Sequence, residues 1–384
     1  MNLNMLLSGY AAIITLAWVC ASIYLLVNCR KVQFLKDMSP NLNMVEPRVA
    51  IIVAVKDEEA ELEEALISVC QLDYKNLRII VVNDRSTDRT PEILQKIAQE
   101  NPVITVITIE ELPKGWLGKS HALYQGYKAS AEEWLLFTDA DVIFGRQALK
   151  KAMHYVTEHQ LDHLAVLPEI TSRSALFKAM MSTFSMMLEF RQRPWDIRNP
   201  ASKASIGIGA FNLVRRSAYE KAGTHTAFSL RPDDDLKLGE RIKAAGLRPD
   251  VLYGEKEVSL EWYTSLNEFV NGLMKNTFSI SNYHLPTAIG MALATFLVFV
   301  LPMPFLLLSG GYNFILALVM LTSQIFLMLF KPGIHGKWWH ALMIPFAGAV
   351  IVYILLKSAF ITIKQGGIYW RDSFYPLAEL KKQR

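Results

Sequence analysis

The chain has 384 residues, of which 52% are hydrophobic and 20% charged, and its formal net charge is +4. The hydrophobic excess is concentrated at the two ends, so the composition indicates a membrane protein with a soluble middle and excludes a wholly soluble chain. The small positive charge clusters at predicted membrane edges, which favours contact with anionic lipid headgroups and argues against a nucleic-acid partner.

The first predicted element is a membrane helix. Met5 to Val27 carries no charged residue and is long enough to cross a hydrocarbon core of about 30 Å. Because Met1 to Leu7 has no basic residue, we expect a retained anchor rather than a cleaved signal peptide. Arg30 and Lys31 follow directly, and basic residues beside a spanning helix mark its cytoplasmic side. The sequence therefore predicts an anchor over residues 1–30 and a cytoplasmic middle domain.

Residues 46–283 are predicted to form one α/β domain. From Arg48 to about Asp141, apolar runs rich in Val and Ile alternate with polar breaks and helical stretches. Strands separated by helices of this length indicate βαβ units with right-handed crossovers. The expected architecture is a Rossmann-like, mostly parallel sheet.

Acidic residues follow three of the predicted strands. The three segments are Arg48 to Val55 before Asp57 and Glu58, Leu77 to Val82 before Asn83 and Asp84, and Trp134 to Thr138 before Asp139 and Asp141. Ligands of parallel sheets collect at the carboxyl ends of the strands. Carboxylates placed there repeatedly predict one shared site for a nucleotide and a metal ion.

Each acidic segment also has a purely structural interpretation. A D-x-D pair is common by chance, Asp233 to Asp235 contains a second copy, and either copy alone is better explained as a solvated turn or helix cap. The segment after Asp84 suits an N-cap turn built by Ser86, Thr87 and Asp88, and Asp57 to Glu59 suits the start of a helix. The three segments in register across one sheet favour a site.

Five segments of the middle domain form an ordered set of motifs. They are Arg48-Val-Ala-Ile-Ile-Val-Ala-Val-Lys-Asp-Glu-Glu59, Val82-Asn-Asp-Arg-Ser-Thr-Asp88, Gly118-Lys-Ser-His-Ala-Leu123, Thr138-Asp-Ala-Asp141 and Asp234-Asp-Leu-Lys-Leu-Gly-Glu-Arg241. The set, over about residues 46 to 280, resembles the family 2 glycosyltransferases, which have a GT-A fold. With the anchored frame, Gly115 to Lys119 and Trp370-Arg371 resemble the branch of hopanoid-associated and carotenoid (diaponeurosporenoate-type) glycosyltransferases.

The resemblance implies how a nucleotide-sugar donor is held. The carboxylate after the first strand would hold the uridine of a UDP-sugar, which leaves Asp57 and Glu58 as alternatives, and Asp84 would hold it from the second strand. The D-x-D residues would contact the ribose and a metal ion, with Asp141 as the principal ligand of Mg²⁺ or Mn²⁺ and Asp139 as its companion.

The resemblance also implies an inverting mechanism. The acidic pair before Leu-x-x-Gly-x-Arg places the catalytic base at Asp235, with Asp234 as the fallback. Lys119 could pair with phosphate at a helix start, and a solvated helix-end lysine is an equal alternative. The Q-x-x-R-W motif of processive synthases is absent from Trp262 to Glu268, the nearest stretch. A single transfer is therefore expected.

The C-terminal part is predicted to hold further membrane segments over residues 284–363. Leu285 to Phe330 has no charged residue and is interrupted by prolines and glycines, which indicates helices at roughly 286–309 and 312–330. Trp338 to Ile363 is the third. Four full crossings would place the basic tail, residues 364–384, on the extracytoplasmic side of the membrane. This would conflict with the rule that basic residues beside spanning helices mark the cytoplasmic side. We therefore expect one segment, first of all 286–309, to be re-entrant or interfacial.

The sequence thus predicts a multi-pass enzyme of the cell membrane that glycosylates a membrane lipid or isoprenoid acceptor. A polyprenyl-phosphate sugar transferase and a non-catalytic membrane sensor with a nucleotide-binding domain remain alternatives. A transporter is disfavoured because the spans lack ionisable residues, and a dinucleotide-binding oxidoreductase because G-x-G-x-x-G does not follow the first strand. The spacing of the three cysteines favours neither disulfides nor a zinc site.

Overall fold

A computed structural model describes residues 3–40, 45–370 and 373–382. Its helices are α1 (Leu3–Cys29), α2 (Leu62–Cys70), α3 (Thr90–Glu100), α4 (Gly118–Ala129), α5 (Ala148–Glu158), α6 (Ala175–Gln192), α7 (Arg216–Lys221), α8 (Asp234–Ala244), α9 (Leu266–Thr277), α10 (Leu285–Thr295), α11 (Pro302–Ser309), α12 (Gly311–Phe330), α13 (Ile344–Gln365) and α14 (Leu377–Leu380). Its strands are β1 (Val49–Val55), β2 (Leu77–Asp84), β3 (Ile104–Ile109), β4 (Trp134–Thr138), β5 (Ile143–Phe144), β6 (His163–Leu167), β7 (Glu169–Ile170), β8 (Asn212–Arg215), β9 (Pro249–Tyr253), β10 (Val258–Leu260), β11 (Gly367–Trp370) and β12 (Ser373–Pro376). Met1 and Asn2 of the predicted anchor, and Arg371 and Arg384 of the predicted basic tail, lie outside the described residues.

Seven strands form the central sheet in the order β3-β2-β1-β4-β8-β6-β9. Only β8 runs antiparallel to its neighbours β4 and β6, so the predicted mostly parallel sheet is confirmed. One boundary was wrong: Asn83 and Asp84 belong to β2 instead of following it. Their pairing with Thr108 and Ile109 of β3 keeps them in the sheet.

Both faces of the sheet are covered by helices, which explains the continuous apolar runs of the strands. Successive residues of β1 alternate between two hydrophobic cores: Ile51 and Val53 pack on one face, and Ala50 and Ile52 on the other. All four are essentially inaccessible to solvent. Each buried Ile or Val side chain contributes roughly 1.5–3 kcal/mol, so the strands that carry the acidic residues are rigidly placed.

Three helical segments are long and apolar enough to cross a membrane: Leu6–Cys29, Gly311–Phe330 and Trp338–Gln365. One lies at the N-terminal end and two at the C-terminal end, as predicted. The segment expected to be re-entrant meets that criterion only as Leu285–Val300 joined to the preceding Leu266–Ser281, and the two are bent by 115°. The side of the membrane that each end faces stays a prediction.

The break between α10 and α11 is compensated by side chains of α1. In a regular helix the Val298 carbonyl accepts a hydrogen bond from residue 302, but Pro302 has no N–H to donate. The indole N–H of Trp18 donates to that carbonyl instead, at 2.9 Å. The Tyr10 hydroxyl donates to the adjacent Leu297 carbonyl at 2.7 Å. These bonds attach the interrupted segment to the N-terminal helix.

Candidate active site

The D-x-D segment begins at the carboxyl end of β4. The Nζ atom of Lys119, in the first turn of α4, lies 2.5 Å from Oδ1 of Asp139. Burial alone would lower the pKa of Lys119, but the carboxylates of Asp139, Asp234 and Asp235 outweigh it and raise that pKa. Lys119 is therefore a fixed cation that faces three of the predicted acidic residues.

Asp141 lies beside Asp139 and is partly buried. Burial and the negative charge of Asp139 raise the pKa of Asp141 to about 7, and Glu58 and Glu61 add to the repulsion. A divalent cation would relieve this repulsion, and hard carboxylate oxygens are the ligands that Mg²⁺ and Mn²⁺ take. In the described part of the chain, no group of three His, Cys, Asp or Glu side chains could hold a metal ion. The residues present fit a cation that takes its remaining ligands from a bound diphosphate and water.

A narrow cavity lies next to this pair. Its lining includes Lys119, Thr138, Asp139, Gly209, Asn212, His225, Asp234 and Asp235. Asp235 accepts hydrogen bonds from the backbone N–H of Gly209 at 2.9 Å and from that of Leu236 at 2.8 Å. The two predicted base candidates and two of the predicted donor-binding residues therefore share one cavity.

The pKa values of the neighbouring residues Asp234 and Asp235 are shifted in opposite directions. Burial opposes ionisation of Asp234, but the charge of Lys119 and the contact with His225 lower its pKa. Burial and the charge of Asp234 raise the pKa of Asp235 to about 7. A carboxylate with a pKa near neutrality can both accept and release a proton, which suits a general base.

Two glycines allow the loop before β8 to approach both acidic segments. A Cβ atom at Gly209 would lie 2.5 Å from Oδ2 of Asp139, and one at Gly207 would lie 1.9 Å from the carbonyl oxygen of Asp235. Larger residues at either position would push the acidic segments apart. The Gly207-Ile208-Gly209 pattern was visible in the sequence, but its partners are distant along the chain.

His225 is a site residue that the sequence did not reveal. Its Nε2 atom lies 3.7 Å from Oδ2 of Asp234, and its Nδ1 atom forms a hydrogen bond of 2.5 Å with the Tyr219 hydroxyl. All three side chains are buried. The chain of contacts fixes Asp234 beside Asp235. No motif or metal-type spacing distinguishes His225 from the other histidines.

Asp84 lies outside the cavity lining but touches the start of α4. Its carboxylate forms two hydrogen bonds with the Arg85 guanidinium, at 2.8 and 3.0 Å. A Cβ atom at Gly118 would lie 2.1 Å from Oδ2 of Asp84. Asp84 is therefore joined to the cavity through the residue that precedes Lys119.

Asp57 holds the loop that follows β2. Its Oδ1 atom accepts the backbone N–H of Thr87 at 2.7 Å, and its own N–H donates to Ser86 Oγ at 3.0 Å. The backbone N–H of Glu58 donates to Thr90 Oγ1 at 2.9 Å. Both residues thus join the first two acidic segments. Part of the hydrogen-bonding capacity of Asp57 is used within the protein.

The second D-x-D copy is held differently. Asp233 is bound by the buried guanidinium of Arg231 through two hydrogen bonds of 2.8 and 2.7 Å. Because its oxygens already have this partner, Asp233 serves the conformation of the loop before α8. Only the following carboxylates, Asp234 and Asp235, reach the cavity.

We predict that Gly118→Ala weakens nucleotide binding. The added methyl group would displace the Asp84 carboxylate or the start of α4, and such overpacking costs about 1–3 kcal/mol, equivalent to roughly 5- to 150-fold in affinity. Isothermal titration with UDP measures the change. Gly290→Ala in α10 is the matched control, since nothing lies within 4 Å of a Cβ atom there. Equal affinity in both variants would show that Gly118 does not position the donor site.

Comparison with known proteins identifies the domain. Residues 50–223 match the model of the glycosyl transferase family 2. The chain is 26% identical over 221 residues to the poly-beta-1,6-N-acetyl-D-glucosamine synthase of Staphylococcus aureus strain COL, which covers 56% of this chain and 50% of that protein. It is 25% identical over 225 residues to the 4,4'-diaponeurosporenoate glycosyltransferase of S. aureus strain USA300, with 58% of each chain covered. The chain spans about half the length of the curated relatives it matches.

A solved structure of similar fold extends over almost the whole chain. It is the mannosyltransferase PcManGT from Pyrobaculum calidifontis, in complex with GDP-Man and Mn²⁺. The sequences are 17% identical, the match covers 94% of this chain and 99% of that one, and the TM-score is 0.55. At this identity the likeness concerns the fold, and it confirms the predicted GT-A architecture.

Proposed function

We propose that the chain, whose residues 50–223 match the glycosyl transferase family 2 model, is a glycosyltransferase that transfers a single sugar from a nucleotide sugar, UDP-linked, to a lipid acceptor in the membrane, with inversion. The observation that carries the proposal is the cavity in which Asp235, with a pKa of about 7, lies near the Lys119–Asp139 pair. A base and a charged donor-binding pair in one cavity are what a displacement at a sugar carbon requires.

In the proposed reaction Asp235 takes the proton of the acceptor group as its oxygen attacks the anomeric carbon. The bond between that carbon and the diphosphate breaks on the opposite face, which inverts the configuration. Lys119 faces the negative charge that develops on the leaving group, and preorganised charges of this kind stabilise a transition state without further reorganisation. Asp234, held by His225, keeps the pKa of Asp235 high enough for proton transfer near neutral pH.

The proposed cofactor is Mg²⁺ or Mn²⁺, held by Asp141 with Asp139 as its companion. A bound divalent cation supplies Lewis-acid stabilisation of the departing diphosphate. Asp84 and one of Asp57 and Glu58 are proposed to bind the nucleoside. Asp84 is the better supported, because it is buried and touches the residue before Lys119.

The membrane helices support a lipid acceptor. The helix α9, part of the bent pair that precedes the C-terminal spans, packs against α13. A lipid hydroxyl or carboxylate could thus reach the catalytic domain without leaving the bilayer. The proposed location is the cell membrane, with the catalytic domain, residues 46–283, in the cytoplasm.

We predict that Asp141→Asn lowers donor affinity at least about 10-fold in the presence of Mn²⁺, because it removes the proposed principal ligand, and the loss of even an outer-shell partner of a metal ligand costs about 10- to 100-fold. Without divalent cation the variant and the parent protein should bind UDP equally. Titration calorimetry with and without Mn²⁺ measures both. Glu100→Gln, an exposed carboxylate at the end of α3, is the control. An equal loss of affinity without the cation would assign Asp141 to the nucleotide instead.

The test of the function is to incubate membranes containing the protein with a panel of labelled nucleotide sugars and to identify the lipid product by mass. A glycosylated hydroxyl or carboxyl lipid supports the proposal. A glycosylated polyprenyl phosphate would establish the alternative transferase. Nucleotide binding without any product would indicate the membrane sensor.

A further inference from the structure

A cluster of aromatic side chains joins the catalytic domain to the membrane-proximal helices. Trp262 and Tyr263 follow β10, and their ring centroids lie 5.2 Å apart. The ring centroids of Trp262 and Phe184 of α6 lie 5.5 Å apart, and those of Tyr263 and the buried Phe269 of α9 lie 5.6 Å apart. Side chains of α13 complete the same hydrophobic cluster. The cluster therefore spans from the end of β10 to a predicted membrane helix.

Tyr263 is the member of this cluster that packs against the backbone of α9. Burial, together with the negative charges of Asp141 and Asp139, raises the pKa of Tyr263 to about 12. The strand that precedes it, β10, pairs with β5, which directly follows the D-x-D segment. This pairing brings the part of the chain that carries Tyr263 close to the D-x-D segment.

The ring of Tyr263 packs against α9 at Gly272. A Cβ atom at Gly272 would lie 2.4 Å from the Tyr263 hydroxyl oxygen, 2.5 Å from Cε1 and 2.6 Å from Cζ. The ring therefore lies against the helix backbone, which only glycine permits at this distance. Since α9 is the first helix of the bent pair, this contact links the position of the phenol to a membrane-proximal helix.

We propose that Tyr263, which packs against Gly272, is a positioning residue for the acceptor. This inference rests on the proposed function and names the side of the site from which the acceptor enters. In this proposal the acceptor comes from the membrane and reaches the site past Tyr263, which packs against α9 and follows the strand paired with β5, next to the D-x-D segment. The chemical class that fits is an amphipathic lipid, whose apolar body contacts the aromatic side chains and whose reactive oxygen is held at the phenol.

The contact with Gly272 provides a test that leaves the donor-binding carboxylates untouched. Gly272→Ala should move the Tyr263 ring and lower kcat/KM for the lipid acceptor roughly 10- to 100-fold, because small displacements of positioning groups have effects of this size. Tyr263→Ala should lower it similarly. In the double variant, Gly272→Ala should add less than about a twofold loss, since no ring remains to be displaced.

The readouts separate positioning from general damage. The affinity for UDP with Mn²⁺ and the rate of donor hydrolysis by water should stay at the parent values in all three variants. Gly290→Ala controls for the substitution in an open position. Equal losses from Gly272→Ala with and without the tyrosine ring, or a parallel loss of UDP affinity, would overturn the inference. If the parent protein glycosylates no lipid, the proposed function fails and this inference fails with it; if the parent is active and the variants match it, only the inference fails.

Discussion

Replacing Asp235 with asparagine is expected to lower turnover roughly 10²- to 10⁴-fold, the usual contribution of a positioned general base. The amide has nearly the shape of the carboxylate, and its oxygen can still accept one of the two backbone hydrogen bonds, from Gly209 or Leu236. Nucleotide affinity should therefore stay within about twofold of the parent value. The loss should appear in kcat, because the interaction is made with the reacting proton.

The pH dependence of the parent enzyme gives the same residue a second signature. Burial and the charge of Asp234 raise the pKa of Asp235 to about 7, and a base acts only when it is deprotonated. The rate should therefore fall as the pH drops through about 7, approaching a tenfold loss per unit below it. In Asp235→Asn the remaining activity should lack this dependence.

The controls lie on the same helix. Glu240→Gln changes an exposed carboxylate of α8 and should behave as the parent protein. Asp234→Asn tests the alternative that Asp234 is the base. If Asp235 is the base, loss of the Asp234 charge should lower the pKa of Asp235 and move the acidic limb of the pH–rate profile to lower pH. If Asp234→Asn abolishes the limb and Asp235→Asn retains it, the base is Asp234. Wild-type turnover in both variants would contradict the proposed chemistry.

The sequence predicted the strands that carry the site because their burial leaves a local signature. The run Trp134 to Thr138 is continuous and apolar, and β4 has those bounds. Since parallel strands end at one edge of the sheet, the acidic residues after β1 and β4 could be expected to lie near each other. Asp139 and Asp235, which are distant along the chain, line the same cavity, whereas Asp84 and Asp141 are not among its lining residues.

Residues whose importance depends on a distant partner could not be found in this way. His225 matters because it touches Asp234, and Gly272 because it supports Tyr263; neither contact has a local pattern. Arg85 follows β2 in a left-handed conformation, with φ at 57°, and this geometry turns its guanidinium onto Asp84. The general polarity of these segments was visible, but the partners became identifiable only from the folded chain.

The α/β domain and the predicted membrane helices are joined by a buried ion pair. Lys331, at the end of α12, lies 2.8 Å from Glu189 of α6, and the two side chains are only 0% and 5% exposed. Glu189 also accepts a hydrogen bond from the Tyr253 hydroxyl at 2.8 Å, at the end of β9, and contacts the Cys29 thiol at the end of α1. One carboxylate thus connects two predicted membrane helices, the helix α6 and the central sheet.

Removing one partner should be far more damaging than removing both. Lys331→Met leaves the Glu189 carboxylate buried without its counter-ion, which costs about 3–5 kcal/mol in comparable sites. The double variant Lys331→Met with Glu189→Leu removes both charges and should recover much of that loss, since the desolvation penalty disappears with the pair. Unfolding in detergent, followed by tryptophan fluorescence, measures both. Lys337→Met, an exposed lysine of the same loop, should change stability by less than about 0.5 kcal/mol. If the single variant were as stable as this control, the pair could not be the connection that holds the domain to its membrane helices.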